Sequence, residues 1–347
     1  MRPKSLFRFD ASPAIGGGHA VRSLALAKAM ASAGWDCRLA VSRTTTATIP
    51  ALADADIPLI PLPDSGLAEP CTLTAAAPNG VDLLILDHYQ CGRSYEERCR
   101  GWARHIAVID DQPTRQHDCD ILTDPTLGRE TVAYRPLVPS RTRILVGSKF
   151  AILRPAFAEA RQAALERRQR LGPVERILVS FGMADPDNLA GRALRAIAES
   201  GIAAAVDVVL GASAPHRAKV EAAHRALPGG GTVYAYVEDM AGLMAQADLA
   251  IGAAGSSTWE RCCLGLPTFM FVLADNQRDI ALALEQHGAA ENLGTPEDSA
   301  FERLANRIAA LARQTDVRAR MSHAAAAICD GKGAQRLIET FVALAHA

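Results

Sequence analysis

The stretch Leu6-Phe-Arg-Phe9, Asp10-Ala-Ser-Pro-Ala-Ile, Gly16-Gly17-Gly18-His19-Ala-Val-Arg22 decides the fold. A short apolar run ends at Phe9, three glycines follow, and alanines with Leu24 and Met30 then recur at helical spacing to about Ala33. Strand, glycine loop and helix in that order open a parallel α/β sheet. The alternation continues outward. Gly34 stops the helix, residues 37–41 read as a second strand, and residues 81–86 and 105–110 as further ones. A second series starts near Gly172-Pro173, with strands expected at 176–181, 205–210, 232–234, 248–251 and 266–272. Helices are expected from about Asp187, at 216–226 and at 256–264.

The spacing therefore predicts an α/β protein of two Rossmann-like, doubly wound domains. The expected boundaries are residues 1–152, a linking helix at 153–172, a second domain at 173–330, and a helix at 331–347 packing back on the first domain. In open α/β sheets ligands bind beyond the carboxyl ends of the strands. Two such domains facing across a cleft would put the site there.

Composition narrows the function. The 347 residues are 49% hydrophobic and 22% charged, which suits soluble globular domains. The 37 basic and 38 acidic residues nearly cancel, so no global field attracts nucleic acid or a membrane surface. No apolar run approaches the roughly 18 residues of a membrane span. The charged start, Met1-Arg-Pro-Lys-Ser, offers no signal-peptide core, and eight cysteines without a CxxC make neither a disulfide framework nor a zinc site. A cytoplasmic protein is expected, with a small-molecule substrate and no need of a partner chain, so a monomer is compatible. Only five lysines accompany the many arginines, a bias first attributable to composition and second to anion binding.

Three segments carry candidate chemistry. Gly17 and Gly18 allow close backbone approach to a ligand, and amides at that helix start favour an anion. The glycines do not follow GxGxxG, so this is no dinucleotide fingerprint. His19 sits at the helix start with Arg22 and Ser23 on the same face. The positive helix end would lower its pKa and keep the ring neutral, as a general base requires; a histidine that merely braces the loop fits the spacing equally. The second segment, Gly255-Ser256-Ser257-Thr-Trp-Glu260, follows a strand with small residues and hydroxyls that suit a diphosphate. Ser257 to Glu260 also reads as a capping box. Asn276 and Gln277 open another helix at the same sheet edge, where they too read as caps. The third segment runs from Ser180 through Gly182 and Met183 to Asp185-Pro-Asp187, and this acidic pair reads as a helix cap before it reads as a ligand set. No metal and no cofactor is expected, because none of the DxD pairs brings the further oxygen ligands a metal needs. GxSxG, GxxxxGK[ST] and HExxH are all missing.

Taken together, Gly16-Gly-Gly-His19-Ala-Val-Arg22, Leu86-Asp-His-Tyr89, Ile109-Asp-Asp111 with Arg115, His117 and Asp120, Gly147 to Phe157, Ser180-Phe-Gly182, Asp185-Pro186, Gly255 to Glu260 and Asn276-Gln277 resemble one family. It is the UDP-2,4-diacetamido-2,4,6-trideoxy-β-L-altropyranose hydrolases of pseudaminic acid biosynthesis, and the resemblance runs from about residue 6 to 290. It implies a GT-B-like architecture, UDP held by the C-terminal domain, Glu260 on the ribose hydroxyls and Gly255–Ser257 at the diphosphate. It also implies His19 as the base, with Tyr89, Asn276 and Gln277 near the sugar or diphosphate and Gly182 and Asp185 lining the substrate. Ser23 stands where cysteine is expected, and Met183 where a second glycine is expected, which would crowd the phosphates. The implied activity is metal-independent hydrolysis of the UDP-sugar. A GT-B glycosyltransferase and a non-catalytic nucleotide-sugar binding protein are the rival readings.

Overall fold

A computed structural model describes residues 2–12, 16–62, 69–170 and 172–345. The chain divides into two compact units, residues 1–155 with 331–347, and residues 156–330. The first holds seven parallel strands: β1 Lys4–Phe9, β2 Asp36–Ser42, β3 Leu59–Leu62, β4 Val81–Asp87, β5 Ala103–Ile109, β6 Ile121–Asp124 and β7 Arg143–Val146, in the order β3-β2-β1-β4-β5-β6-β7. The second holds β8 Arg176–Ser180, β9 Ala205–Val209, β10 Val233–Tyr234, β11 Leu249–Ala253, β12 Thr268–Phe271 and β13 Glu291–Asn292, in the order β10-β9-β8-β11-β12-β13. In each sheet the strand order reverses beside the first strand, between β1 and β4 and between β8 and β11. These are the points where doubly wound sheets bind ligands.

Four strands lie outside the sequence expectation. β6 and β7 are four residues long and β13 only two, too short to show a period, and Pro61 interrupts β3 at the sheet edge. In β1 the side chains alternate between two cores. Phe7 and Phe9 pack with Leu39, Val41, Leu83 and Ile85 under the helix Gly18–Ser32, while Leu6 packs on the other face with Ala40, Leu84 and Leu86. Arg8 also faces that second layer. It is buried, with Nε donating to Glu69 Oε1 at 2.5 Å and Nη2 to Asp10 Oδ2 at 2.8 Å.

The helix Pro155–Gln169 is part of the second unit rather than a spacer. Its Arg161 donates to the carbonyls of Cys263, Ala326 and Cys329, and its Arg168 to those of Met244 and Ala247. Arg318 does the same for Leu311 and Ala312. These carbonyls end helices, where the backbone lacks partners and the dipole favours a cation. Three of the arginines thus close helix C-termini, because a guanidinium reaches several carbonyls at once. Among the described residues no helix is long and apolar enough to cross a membrane.

The last helix, Gly333–Ala345, buries Leu337 and Phe341 in the first unit's core. Its first residue approaches the backbone so closely that a Cβ on Gly333 would lie 2.1 Å from the Ala151 carbonyl oxygen. Gly333→Ala is expected to cost about 1–3 kcal/mol and to raise amide exchange across 333–345. Unchanged exchange in that helix would contradict the packing.

Candidate functional site

At the switch point of the first sheet, β4 ends in Asp87, whose side chain is buried. Four donors converge on it. His19 Nδ1 lies 2.6 Å from Oδ1, Arg22 Nε donates to Oδ2 at 2.7 Å and Nη2 to Oδ1 at 2.5 Å, and Ser23 Oγ donates to Oδ2 at 3.0 Å. All three partners sit in the first turns of the helix Gly18–Ser32, at the spacing that puts them on one face. Burial by itself raises a carboxyl, but the Arg22 charge, with the His19 contacts behind it, holds Asp87 well below the usual carboxylate range. An ionised Asp87 accepts the Nδ1 proton of His19, which places the lone pair of the neutral ring on Nε2.

The sequence places His19 at a helix start, and the structure adds a carboxylate at its Nδ1. Arg22, a substrate-binding candidate from its place in the glycine-loop motif, is engaged by Asp87 and, at 3.3 Å, by Asp111. Ser23, which departs from the family expectation, supplies a hydroxyl donor to Asp87. Gly17 caps the helix with no side-chain bond, and a Cβ there would meet Ile49 Cδ1 at 3.0 Å, a tight contact with the movable end of that side chain. Residues 13–15 of the loop lie outside the described residues.

Tyr89 follows two residues after β4. Its ring stands edge-on to His19 with centroids 4.6 Å apart, its hydroxyl donates to Asp111 Oδ1 at 2.8 Å, and the Arg115 guanidinium lies 5.5 Å above it. Asp111 is anchored by the residue before it. Asp110 is wholly buried, paired with Arg115, and His117 sits between it and Glu96, with Nδ1 2.6 Å from Glu96 and Nε2 3.4 Å from Asp110. A second histidine at this edge, His88, donates from Nε2 to Asp10 at 3.2 Å and accepts the Gln90 amide at Nδ1, so both its nitrogens are occupied. Asp87, Asp111 and the Asp110–His117–Glu96 cluster carry no role in the reading of single motifs. Their signal is the acidic residue at the end of β4 and of β5, the edge where ligands bind.

In the second unit the expected residues gather in two groups. The strand β11 ends at Ala253, and the helix Ser257–Cys263 begins four residues on. Gly255 and Ser257 are half-buried and Ser256 is exposed. Gln277 belongs to the same place: its Oε1 accepts the Leu273 amide at 2.9 Å, and its Nε2 would lie 3.6 Å from a Cβ on Gly255. Asn276 beside it is exposed. The capping box is not formed, because Ser256 makes no side-chain cap and Ser257 Oγ accepts from Arg261. Glu260, half-buried, lies one turn into the helix. Gly182 follows β8 at φ 105°, a conformation that requires glycine, and Met183 is 52% exposed, so its side chain turns outward. Asp185 departs from the substrate-lining expectation. It is buried, with its two oxygens accepting the amides of Leu189 and Ala190, so it holds the start of the next helix. Among the described residues no group of three or more His, Cys, Asp or Glu is placed to hold a metal ion.

The two units match the GT-B fold. The structure resembles MurG of Acinetobacter baumannii with a TM-score of 0.70 at 16% identity, covering 98% of this chain and 100% of that one. It resembles LpCGTa, solved in complex with UDP, with a TM-score of 0.68 at 14% identity over the whole of both chains. Residues 198–341 match the model of the glycosyltransferase family 28 C-terminal domain. The spore coat polysaccharide biosynthesis protein SpsG of Bacillus subtilis is 31% identical over 58% of this chain and 59% of its own length. The UDP-N-acetylglucosamine–N-acetylmuramyl-(pentapeptide) pyrophosphoryl-undecaprenol N-acetylglucosamine transferase of Sorangium cellulosum is 34% identical over 65% and 56%. The UDP-2,4-diacetamido-2,4,6-trideoxy-β-L-altropyranose hydrolase of Campylobacter jejuni is 29% identical over 48% and 57%. The chain thus spans less than three fifths of the length of each of these curated relatives.

The His117 cluster gives a pH prediction. Burial pulls an imidazole down, but the close Asp110 carboxylate at Nε2 and the hydrogen bond and charge of Glu96 at Nδ1 carry His117 up to about 9. A pKa raised on folding contributes stability that is whole below about 6.5 and is lost as pH rises through about 9, on the order of a few kcal/mol. Chemical unfolding across pH 6 to 10 should show this fall, and His117→Gln should flatten it. An equal slope in the variant would contradict the assignment.

Proposed function

We propose that this protein hydrolyses a UDP-2,4-diacetamido-2,4,6-trideoxyhexose to UDP and the free sugar, without a metal, with His19 as the general base. The observation that carries the reading is the buried Asp87 carboxylate on His19 Nδ1. With Nδ1–H held, Nε2 accepts a proton from water as the water oxygen bonds to the anomeric carbon. The bond from that carbon to the diphosphate oxygen breaks, its electron pair leaves with UDP, and Asp87 stabilises the imidazolium that forms. The free sugar keeps the water oxygen.

In this reading the second unit holds the nucleotide. Backbone amides of Gly182 and of Gly255, Ser256 and Ser257 meet the diphosphate and oppose the charge that grows on the leaving group. Glu260 accepts from the ribose hydroxyls, Asn276 and Gln277 contact the diphosphate or sugar, and Tyr89 with Gly17 and Gly18 borders the sugar. Arg22 acts through Asp87 rather than on the substrate. The Campylobacter relative and the UDP bound to the LpCGTa structure support the substrate class. A glycosyltransferase is the second reading, favoured by the family 28 match at 198–341 and the Sorangium relative; there an acceptor hydroxyl replaces water.

His19→Asn should lower kcat by roughly 10²- to 10⁴-fold while UDP binding persists. Asp87→Asn, which removes the charge on Nδ1, should lower it by up to about 10⁴-fold. Normal turnover in the His19 variant would remove the residue from the mechanism. In oxygen-18 water the label is expected in the sugar, and label in UDP would overturn attack at carbon.

A further inference from the structure

The surroundings of the other fully buried arginines account for their charge. Arg8 lies between Glu69 and Asp10, and Arg318 points at the carbonyls that end a helix. Arg261, 2% exposed, is placed the opposite way. It is the fifth residue of the helix Ser257–Cys263, and its guanidinium folds back towards the beginning of that helix. Nη1 donates to Ser257 Oγ at 3.0 Å, and Nη2 donates to Thr258 Oγ1 at 2.9 Å and to the Ala253 carbonyl at 2.6 Å. These acceptors are all neutral. Nε has no partner, and Arg261 is in none of the ion pairs among the described residues.

Such a placement is electrostatically adverse. The first amides of a helix already carry positive partial charge, and a buried cation held by neutral acceptors, with only the through-space attraction of neighbouring Glu260 to offset it, is costly. Burial pulls its pKa down to about 10, which still leaves it protonated at neutral pH. The strands are nonetheless shaped around it. A Cβ on Gly252 would lie 3.3 Å from Arg261 Nη1 and 2.3 Å from the Ser180 carbonyl oxygen, so β8 and β11 leave this junction open only because residue 252 is glycine.

We infer that Arg261 is a positioning residue that turns the Ser257 hydroxyl outward and supplies the fixed positive charge answered by the diphosphate of a bound nucleotide. The inference rests on the UDP reading above. Arg261 Nη1 occupies an acceptor position of Ser257 Oγ, so the Ser257 proton is left to donate to a phosphate oxygen. Ser257 is half-buried on the turn beside exposed Ser256, which puts the hydroxyl between the guanidinium and solvent. Across that short, poorly solvated distance a charge acts strongly. The consequence is a dependence on phosphate: Arg261 matters for UDP and not for uridine.

The test is calorimetric binding of UDP and uridine to the full chain, wild type, Arg261→Gln and Arg261→Lys. The wild type should bind UDP more tightly than uridine. Arg261→Gln should lose UDP affinity roughly tenfold or more while uridine affinity stays level, and Arg261→Lys, which keeps the charge, should retain most of the preference for UDP. Equal losses for both ligands, or an unchanged UDP affinity in Arg261→Gln, would overturn the inference and leave the UDP reading standing. If Arg261→Gln does not fold, the Lys variant decides: loss of its preference for UDP overturns the role of the charge. A wild type that binds neither ligand would overturn the underlying reading, and the inference with it.

Discussion

The buried carboxylate of Asp87 is the interaction on which the arrangement at the first unit's switch point depends. It ends β4 at the point where strand order reverses, and it takes donors from His19, Arg22 and Ser23 on one helix. Buried charges persist when they are paired and hydrogen-bonded on most sides, and Asp87 meets that condition only if the helix keeps its present angle to the sheet. The same contacts that fix the helix also select the tautomer of His19. Structural and chemical constraints are therefore one constraint here. Asp111 and Tyr89 extend it to the end of β5, and the His117 cluster holds Asp110 rigidly beneath.

The second unit repeats the topology. At its switch point, between β8 and β11, the Arg261 cation is buried after β11, and the buried carboxylate after β8, Asp185, is taken up by helix amides. An acid beside a histidine suits proton transfer, and a cation beside hydroxyls and amides suits a phosphate-bearing ligand.

Long strands with alternating or continuous apolar residues, and glycines at helix ends, were legible in the sequence because their signals are local. The place of His19 at a helix start was legible too, though its spacing suited a loop brace as well as a base. Asp87 was not, because its partners lie more than sixty residues away and only the parallel pairing of β1 with β4 brings them together. Local rules also misled. Ser257 and Glu260 have capping-box spacing, yet the serine hydroxyl is taken by Arg261, whereas the cap that spacing suggests for Asp185 does hold a helix start. The arginine excess had no reading in one dimension; in the structure, three of the arginines close the carbonyl ends of helices.

The central claim is that the Asp87–His19 pair serves water rather than an acceptor sugar. The direct measurement is incubation of the purified full chain with UDP-2,4-diacetamido-2,4,6-trideoxyhexoses and no acceptor, following products by mass spectrometry. The account predicts UDP and free sugar in equal amounts over many turnovers. UDP release that begins only when a hydroxyl-bearing acceptor is added, with the sugar recovered on that acceptor, would contradict it.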